Sequence, residues 1–166
     1  MSQLALYGAA IAFSFIGWGL VTAWYIWPEL RRRPRAEALR PLLLLHCFRF
    51  VGLSFLVPGV VSPQLSAAFA APAAYGDLLA AILALLALAV GLQTWLGLAL
   101  AWVFSLWGTA DLLYAFYQGN RVGLEPGQLG SAYFIVILLV PLLFITHGLV
   151  FRLLMQGNAA AAARDA

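Results

Sequence analysis

The sequence predicts an all-α integral membrane protein, a helical bundle of about five transmembrane helices with its N-terminus outside the cytoplasm and its C-terminus in the cytoplasm. Of its residues, 64% are hydrophobic and only 9% are charged, and the mean hydropathy is +0.96. A water-soluble fold cannot cover so much apolar surface. Apolar runs long enough to cross a hydrocarbon core of roughly 30 Å also recur along the chain.

The first apolar run covers residues 4–27 and contains no charged residue. It exceeds the roughly 20 residues that a helix needs to cross the hydrocarbon. Its end carries Trp24, Tyr25 and Trp27, and such aromatic side chains are typical of the membrane interface. A basic n-region and a small-residue cleavage site are both missing, so we expect a retained helix and not a cleaved signal peptide.

The orientation follows from a basic loop between Pro28 and Pro41, which contains Arg31, Arg32, Arg33, Arg35 and Arg40. Short cytoplasmic loops carry an excess of basic residues, so this loop is predicted to be cytoplasmic. Arg152, near the end of the last apolar run, agrees with that orientation. We expect a multi-pass protein of the bacterial inner (plasma) membrane.

The remaining spans are predicted by alternation at residues 42–62, 77–92, 95–117 and 131–154. Residues 63–76 carry no charge and are predicted to form an external loop. A single helix over residues 77–117 would be about 60 Å long, twice the hydrocarbon thickness, so a turn near residues 91–94 is the better interpretation. Residues 1–166 then form one transmembrane domain, with a disordered tail over residues 155–166.

Several function classes are excluded or disfavoured by residue usage. The nine basic residues are all arginine, and retinal needs a lysine amine for its Schiff base. Cys47 is the only cysteine, so paired thiols are excluded. Five of the nine arginines form one local cluster between Arg31 and Arg40, so no nucleic-acid partner is expected. The sequence lacks a zinc-protease motif, a phosphate-binding glycine loop and an activated nucleophile, which argues against an enzyme.

Four ionisable residues are the strong candidates for groups at membrane depth: His46, Arg49, Asp111 and His147. Such groups are expensive in lipid, so each one is a functional hypothesis. Asp77 and Arg152 lie close enough to span ends to be interfacial. With the second span starting at residue 42, His46 lies about 6 Å and Arg49 about 10 Å from the inner boundary. His147 lies about 10 Å from the same boundary when the fifth span ends at residue 154. The three side chains therefore share a depth near the cytoplasmic side.

Two carboxylates are expected to lie away from these three residues. Asp111 is about 24 Å from the inner side and roughly 14 Å in depth from Arg49, too far for a direct ion pair. Asp77 would start the third span, where a first-turn carboxylate complements a helix N-terminus.

Three interpretations of the polar residues follow. In the first, His46 and His147 are the axial ligands of a haem b held between the second and fifth helices, for electron transfer. In the second, His46, Arg49, His147 and Asp111 line a path that transports a small solute, an anion or a proton.

In the third interpretation, which the sequence favours most, the same polar residues are interhelical hydrogen-bonding groups of an accessory or scaffold protein. Its partners would be the lipid bilayer and either further copies of this chain or another membrane protein.

Overall fold

Five long helices build the protein, whose computed structural model describes residues 2–156. They are α1 to α5, at Gln3–Leu30, Arg35–Leu56, Ala67–Val90, Trp95–Arg121 and Ile135–Met155. A short 3₁₀ helix, Pro126–Ala132, precedes α5. Each long helix is apolar and long enough to cross a membrane, which confirms the prediction of five helices. Met155, which was predicted to begin a disordered tail, still belongs to α5. The rest of that predicted tail, from residue 157 onward, lies outside the described residues.

Two helices start earlier than predicted. Helix α3 begins at Ala67, so residues 67–76 are helical instead of forming an external loop. These residues are mostly alanine, the best helix former. Because they carry no charge, the sequence showed no boundary between the loop and the start of the helix. Helix α2 begins at Arg35, because arginine is also a good helix former and extends its charged head to water.

The predicted turn between the third and fourth spans is present. Helix α3 ends at Val90 and is followed by Gly91, whose φ of 95° suits glycine. The Thr94 hydroxyl oxygen then accepts a hydrogen bond from the Gly97 N–H at 3.0 Å, which caps the start of α4. Residues 77–117 therefore belong to two helices.

Helix α2 changes its winding at Cys47, from an α-helix to a 3₁₀ helix that ends at Leu56. A 3₁₀ helix has three residues per turn, so side chains three apart lie in line. The residues in that line are His46, Arg49, Gly52 and Phe55, and all four are buried. The 3₁₀ segment thus places Arg49 on the same buried face as His46.

Two other helices contain a π-helical turn close to a proline. In α1 the turn covers Thr22–Ile26 and Pro28 follows it. In α5 it covers Ile135–Leu139 and Pro141 follows. Proline has no N–H to donate and its ring displaces the preceding carbonyl, so such irregularities have a local cause.

The core has two apolar layers on either side of a polar one. The first layer lies toward the arginine end, by which we mean the turns at residues 31–34 and 91–94, and includes Leu39, Leu43 and Val150. The second lies toward the open end, by which we mean residue 3 and the loops at residues 57–66 and 122–134. Helix α1 is peripheral, because none of the residues of Gln3–Val21 is buried.

The loop at the open end yields a matched glycine test. Gly130 and Gly123 both have positive φ, but only at Gly130 would an added Cβ overlap the Val60 carbonyl. A left-handed backbone alone costs an L-residue roughly 1–2 kcal/mol. We therefore expect Gly130→Ala to lower the Tm in detergent, followed by circular dichroism, clearly more than Gly123→Ala does. An equal decrease in Tm for the two variants would contradict the close approach of Gly130 to the loop that contains Val60.

Candidate functional site

The guanidinium of Arg49 is fully buried and binds groups on three other helices. Its Nε donates to Asp77 Oδ1 and its Nη2 to Asp111 Oδ2, both at 2.7 Å. Its Nη1 donates to the Gly108 carbonyl at 3.2 Å and lies 3.1 Å from His147 Nε2. Most of its N–H donors are therefore used within the protein, and these contacts join α2, α3, α4 and α5.

The direct ion pair between Arg49 and Asp111 corrects the expected separation in depth. The error came from starting α2 at residue 42 and treating it as wholly α-helical. From Arg35, eleven α-helical and three 3₁₀ steps place Arg49 at about 22 Å from the arginine end. Sixteen steps from Trp95 place Asp111 at about 24 Å, so the two side chains meet.

Asp77 is part of the same site and does not lie in the first turn of its helix. It lies ten residues inside α3, so its depth from the open end is about 15 Å, and its side chain pairs with Arg49. The sequence carried a signal for the burial of Asp77. Helix α3 has a stripe of small residues three and four apart, and Asp77 lies within it. The stripe comprises Ala70, Ala73, Ala74, Ala80, Ala81, Ala84 and Ala87. A stripe with this spacing marks a buried helix face.

Three glycines make room for the polar layer. A Cβ on Gly52 would overlap the Asp77 carboxylate, and a Cβ on Gly76 would overlap that of Asp111. A Cβ on Gly108 would lie 2.6 Å from His147 Nε2 and 2.7 Å from Arg49 Nη1. The charged groups therefore pack directly against backbone on three helices.

The hydrogen bonds of His147 define its tautomer. Because a guanidinium only donates, His147 Nε2 accepts from Arg49 Nη1. Its Nδ1 then carries the proton and donates to the Ser105 hydroxyl at 3.3 Å. His147 is consequently a neutral acceptor for Arg49.

His46 is the opposite tautomer. The Thr146 hydroxyl donates to the Leu142 carbonyl at 2.8 Å, so its oxygen accepts from His46 Nε2 at 3.0 Å. Nδ1 of His46 is buried without a hydrogen-bond partner in the described structure. The His46 and His147 rings are in contact, with centroids 4.2 Å apart, and Phe104 packs against both.

This arrangement does not fit a haem between the two histidines. A bis-histidine haem needs an iron and a porphyrin plane between the two imidazoles, whereas the rings of His46 and His147 touch each other. Both Nε2 atoms also bind protein groups. This geometry therefore gives no support to the haem interpretation.

A cavity of about 720 Å³ leads from the open end to the two carboxylates. At its mouth lie Gln3, Asn120 and Glu125, and its deepest polar residues are Asp77 and Asp111. Its walls include four aromatic side chains, Tyr7, Phe55, Phe69 and Phe116. Arg49, His46 and His147 do not line it, because they lie beyond the carboxylates toward the arginine end.

The cluster of Arg49, Asp77 and Asp111 is not neutral when all three groups are ionised. One positive and two negative charges leave an excess of one negative charge next to the cavity. The anion site that was considered for Arg49 is disfavoured, because its guanidinium already binds two carboxylates. The arrangement is suited to receive positive charge from the cavity.

Removal of Arg49 tests the central ion pairs. Loss of one partner of a buried pair typically costs roughly 3–5 kcal/mol, because it leaves the other charge unpaired. We expect Arg49→Met to lower the Tm in detergent strongly. The matched control is Arg33→Met, because Arg33 pairs with Glu29 on the surface and exposed pairs contribute little. A similar Tm for the two variants would show that the buried pairs do not hold the bundle.

The close packing at Gly108 is tested by one added methyl group. Gly108→Ala places a Cβ against Arg49 and His147, so we expect a lower Tm than that of the wild-type protein. Gly148→Ala is the control, since nothing lies within 4 Å of its added Cβ. If thermal melting shows no difference between the two variants, α4 does not approach the cluster as closely as described.

Comparison with known proteins places the chain in a family without assigning an activity. A family described as a domain of unknown function (DUF8737) matches residues 6–155. That range holds the polar cluster and nearly the whole of the five helices. No curated protein and no solved structure matches the chain. The chain belongs to the DUF8737 family.

Proposed function

We propose that the protein is a membrane carrier for a small solute, with the cavity as the solute site and the Arg49, Asp77 and Asp111 cluster as its charged end. The observation that supports this most is a cavity that ends at mid-depth on ionisable groups. Solute sites of carriers commonly lie near the bilayer midplane, where helices are irregular. Ionisable groups at that depth are rare outside such sites.

The closed side of the cavity supports a carrier more than an open channel. Beyond the carboxylates, the path to the arginine end is filled by apolar side chains, among them Leu39, Leu43, Ala84, Ala101 and Val150. A solute that reaches Asp111 from the open end would need this layer to separate before it could leave. The protein would thus expose the site to one end at a time.

The winding of the helices supports such a rearrangement. Arg49 lies on the 3₁₀ half of α2, and the π-helical turns of α1 and α5 precede prolines. Segments with 3₁₀ or π geometry inside long helices are frequent at functional hinges. Each of the three helices therefore has a local point of bending.

The orientation that we propose places the arginine end in the cytoplasm. Arg31, Arg32 and Arg33 are exposed in the turn after α1, and Arg152 packs on Trp27 at 4.0 Å near the same end. The positive-inside rule favours this side for the cytoplasm, with the bacterial inner membrane as the proposed location. The cavity then opens to the outside.

The surface of α1 favours a second candidate, an accessory or scaffold function. Its residues Gln3–Val21 are all at least partly exposed, and added Cβ atoms on Gly8, Gly17 and Gly19 would meet nothing within 4 Å. Small residues of this kind allow close approach of another helix. A scaffold, however, has no need for a charged cavity at mid-depth.

Cysteine accessibility in oriented vesicles tests the carrier. Starting from Cys47→Ala, Ala115→Cys lies in the cavity wall and Ala101→Cys lies in the closed apolar layer. A charged, membrane-impermeant thiol reagent should label Ala115→Cys rapidly from the side of the open end. It should label Ala101→Cys slowly, and only from the side of the arginine end, during the minor inward-open state.

Arg121→Cys and Arg33→Cys are the controls for orientation, because both positions are exposed and they lie at opposite ends of the bundle. Their labelling shows which end faces the reagent. Rapid labelling of Ala115→Cys without any labelling of Ala101→Cys would overturn the carrier and leave a site that opens to one side only. No labelling of Ala115→Cys from either side would overturn the accessible cavity as well.

A further inference from the structure

We infer that the ligand of the cavity is an amphiphilic organic cation, in which an ammonium group lies against Asp77 and Asp111 and an apolar body lies between the aromatic walls. This inference rests on the proposed function, because it names the solute class for the same site. It depends on three features of the cavity: the sign of its charges, the chemistry of its walls and its size.

The charges that line the cavity are all negative. They are Asp77 and Asp111 at the deep end and Glu125 at the mouth. No lining residue in the described part of the chain is Arg, Lys or His. A cleft with charges of one sign and apolar walls raises the local concentration of the opposite ion. A cation is therefore attracted at the mouth and again at the deep end.

When both carboxylates are ionised, the deep end needs one further positive charge. Arg49 binds one oxygen of each carboxylate, Asp77 Oδ1 and Asp111 Oδ2. The second oxygen of each, Asp77 Oδ2 and Asp111 Oδ1, has no hydrogen bond within the described residues. An ammonium group supplies up to three N–H donors and a single charge. It would donate to a free carboxylate oxygen and supply the charge that neutralises the ionised cluster.

The walls are suited to an organic body. Tyr7, Phe55, Phe69 and Phe116 face the cavity, and aromatic faces attract cations as well as apolar groups. The volume of about 720 Å³ falls within the range of roughly 300–1,000 Å³ that drug-sized ligands occupy. A bare proton or ammonium ion would leave most of this space unfilled.

A metal cation is a poorer match for the same site. Hard cations such as Ca²⁺ take about six to eight oxygen ligands. The deep end offers only the two carboxylates that Arg49 already binds, and the surrounding walls are largely apolar. An organic ammonium needs fewer donors and gains from the apolar walls.

Three probes with one shared body test the inference: phenylbutylamine, phenylbutanol and phenylbutyrate. They present a cation, a neutral group and an anion on the same aryl chain. Binding to the purified protein in a neutral maltoside detergent is measured by isothermal titration calorimetry. We expect the amine to bind about tenfold or more tighter than the alcohol, since a charged hydrogen bond exceeds a neutral one, and the anion not to bind.

Two pairs of variants locate the site. Asp111→Asn should remove the preference for the amine over the alcohol, whereas Glu29→Gln, at the other end of the bundle, should keep it. Ala115→Trp fills the cavity without touching a charge and should abolish binding of all probes. Its control is Leu113→Trp on the exposed side of the same helix, which should leave binding unchanged. Ala115→Trp keeps the test valid even when Asp111→Asn fails to fold.

The outcomes separate the ligand class from the carrier function. Equal affinity for the amine and the alcohol, or tighter binding of phenylbutyrate that Ala115→Trp abolishes, would overturn the cation and leave the cavity as a solute site. Amine binding that survives Ala115→Trp would overturn the location. Amine binding that depends on Asp111, together with an Ala101→Cys that is never labelled, would support the ligand class and overturn transport.

Discussion

A guanidinium group enclosed among apolar helices must be paired on several sides, since an unpaired charge there costs several kcal/mol. Arg49 satisfies this requirement with two carboxylates, one carbonyl and one imidazole, contributed by three different helices. The helices around it are therefore held in register by one side chain. Hydrophobic burial alone gives no such register between helices in lipid, because lipid tails are as apolar as the side chains.

Small residues follow from that constraint. The carboxylates and the guanidinium fit only because Gly52, Gly76 and Gly108 present backbone where other residues present a Cβ. Alanines continue the close packing along α3 above and below Asp77. The ion pairs therefore depend on the packing: they require short distances between helices, and glycine and alanine permit those distances.

Composition and run length were enough to predict five helices, because the hydrocarbon thickness sets a minimum apolar length. They were not enough to place helix ends, since alanine-rich and arginine-rich segments give no charge or hydropathy boundary. Those ends decide which residues share a depth, so the separation predicted for Arg49 and Asp111 was wrong although both had been selected as candidates. Asp77 was misplaced for the same reason, while the periodicity of its neighbours contained the needed information.

The 3₁₀ half of α2 couples length to rotation. A 3₁₀ helix turns about 120° and rises about 2.0 Å per residue, against about 100° and 1.5 Å for an α-helix. If Cys47–Leu56 rewound as an α-helix, Arg49 would turn by about 60° relative to His46. The far end of α2 would retract by about 5 Å over the ten residues. A change in the winding of α2 would therefore both shorten the helix and rotate Arg49 away from Asp77 and Asp111, the two carboxylates that it pairs with.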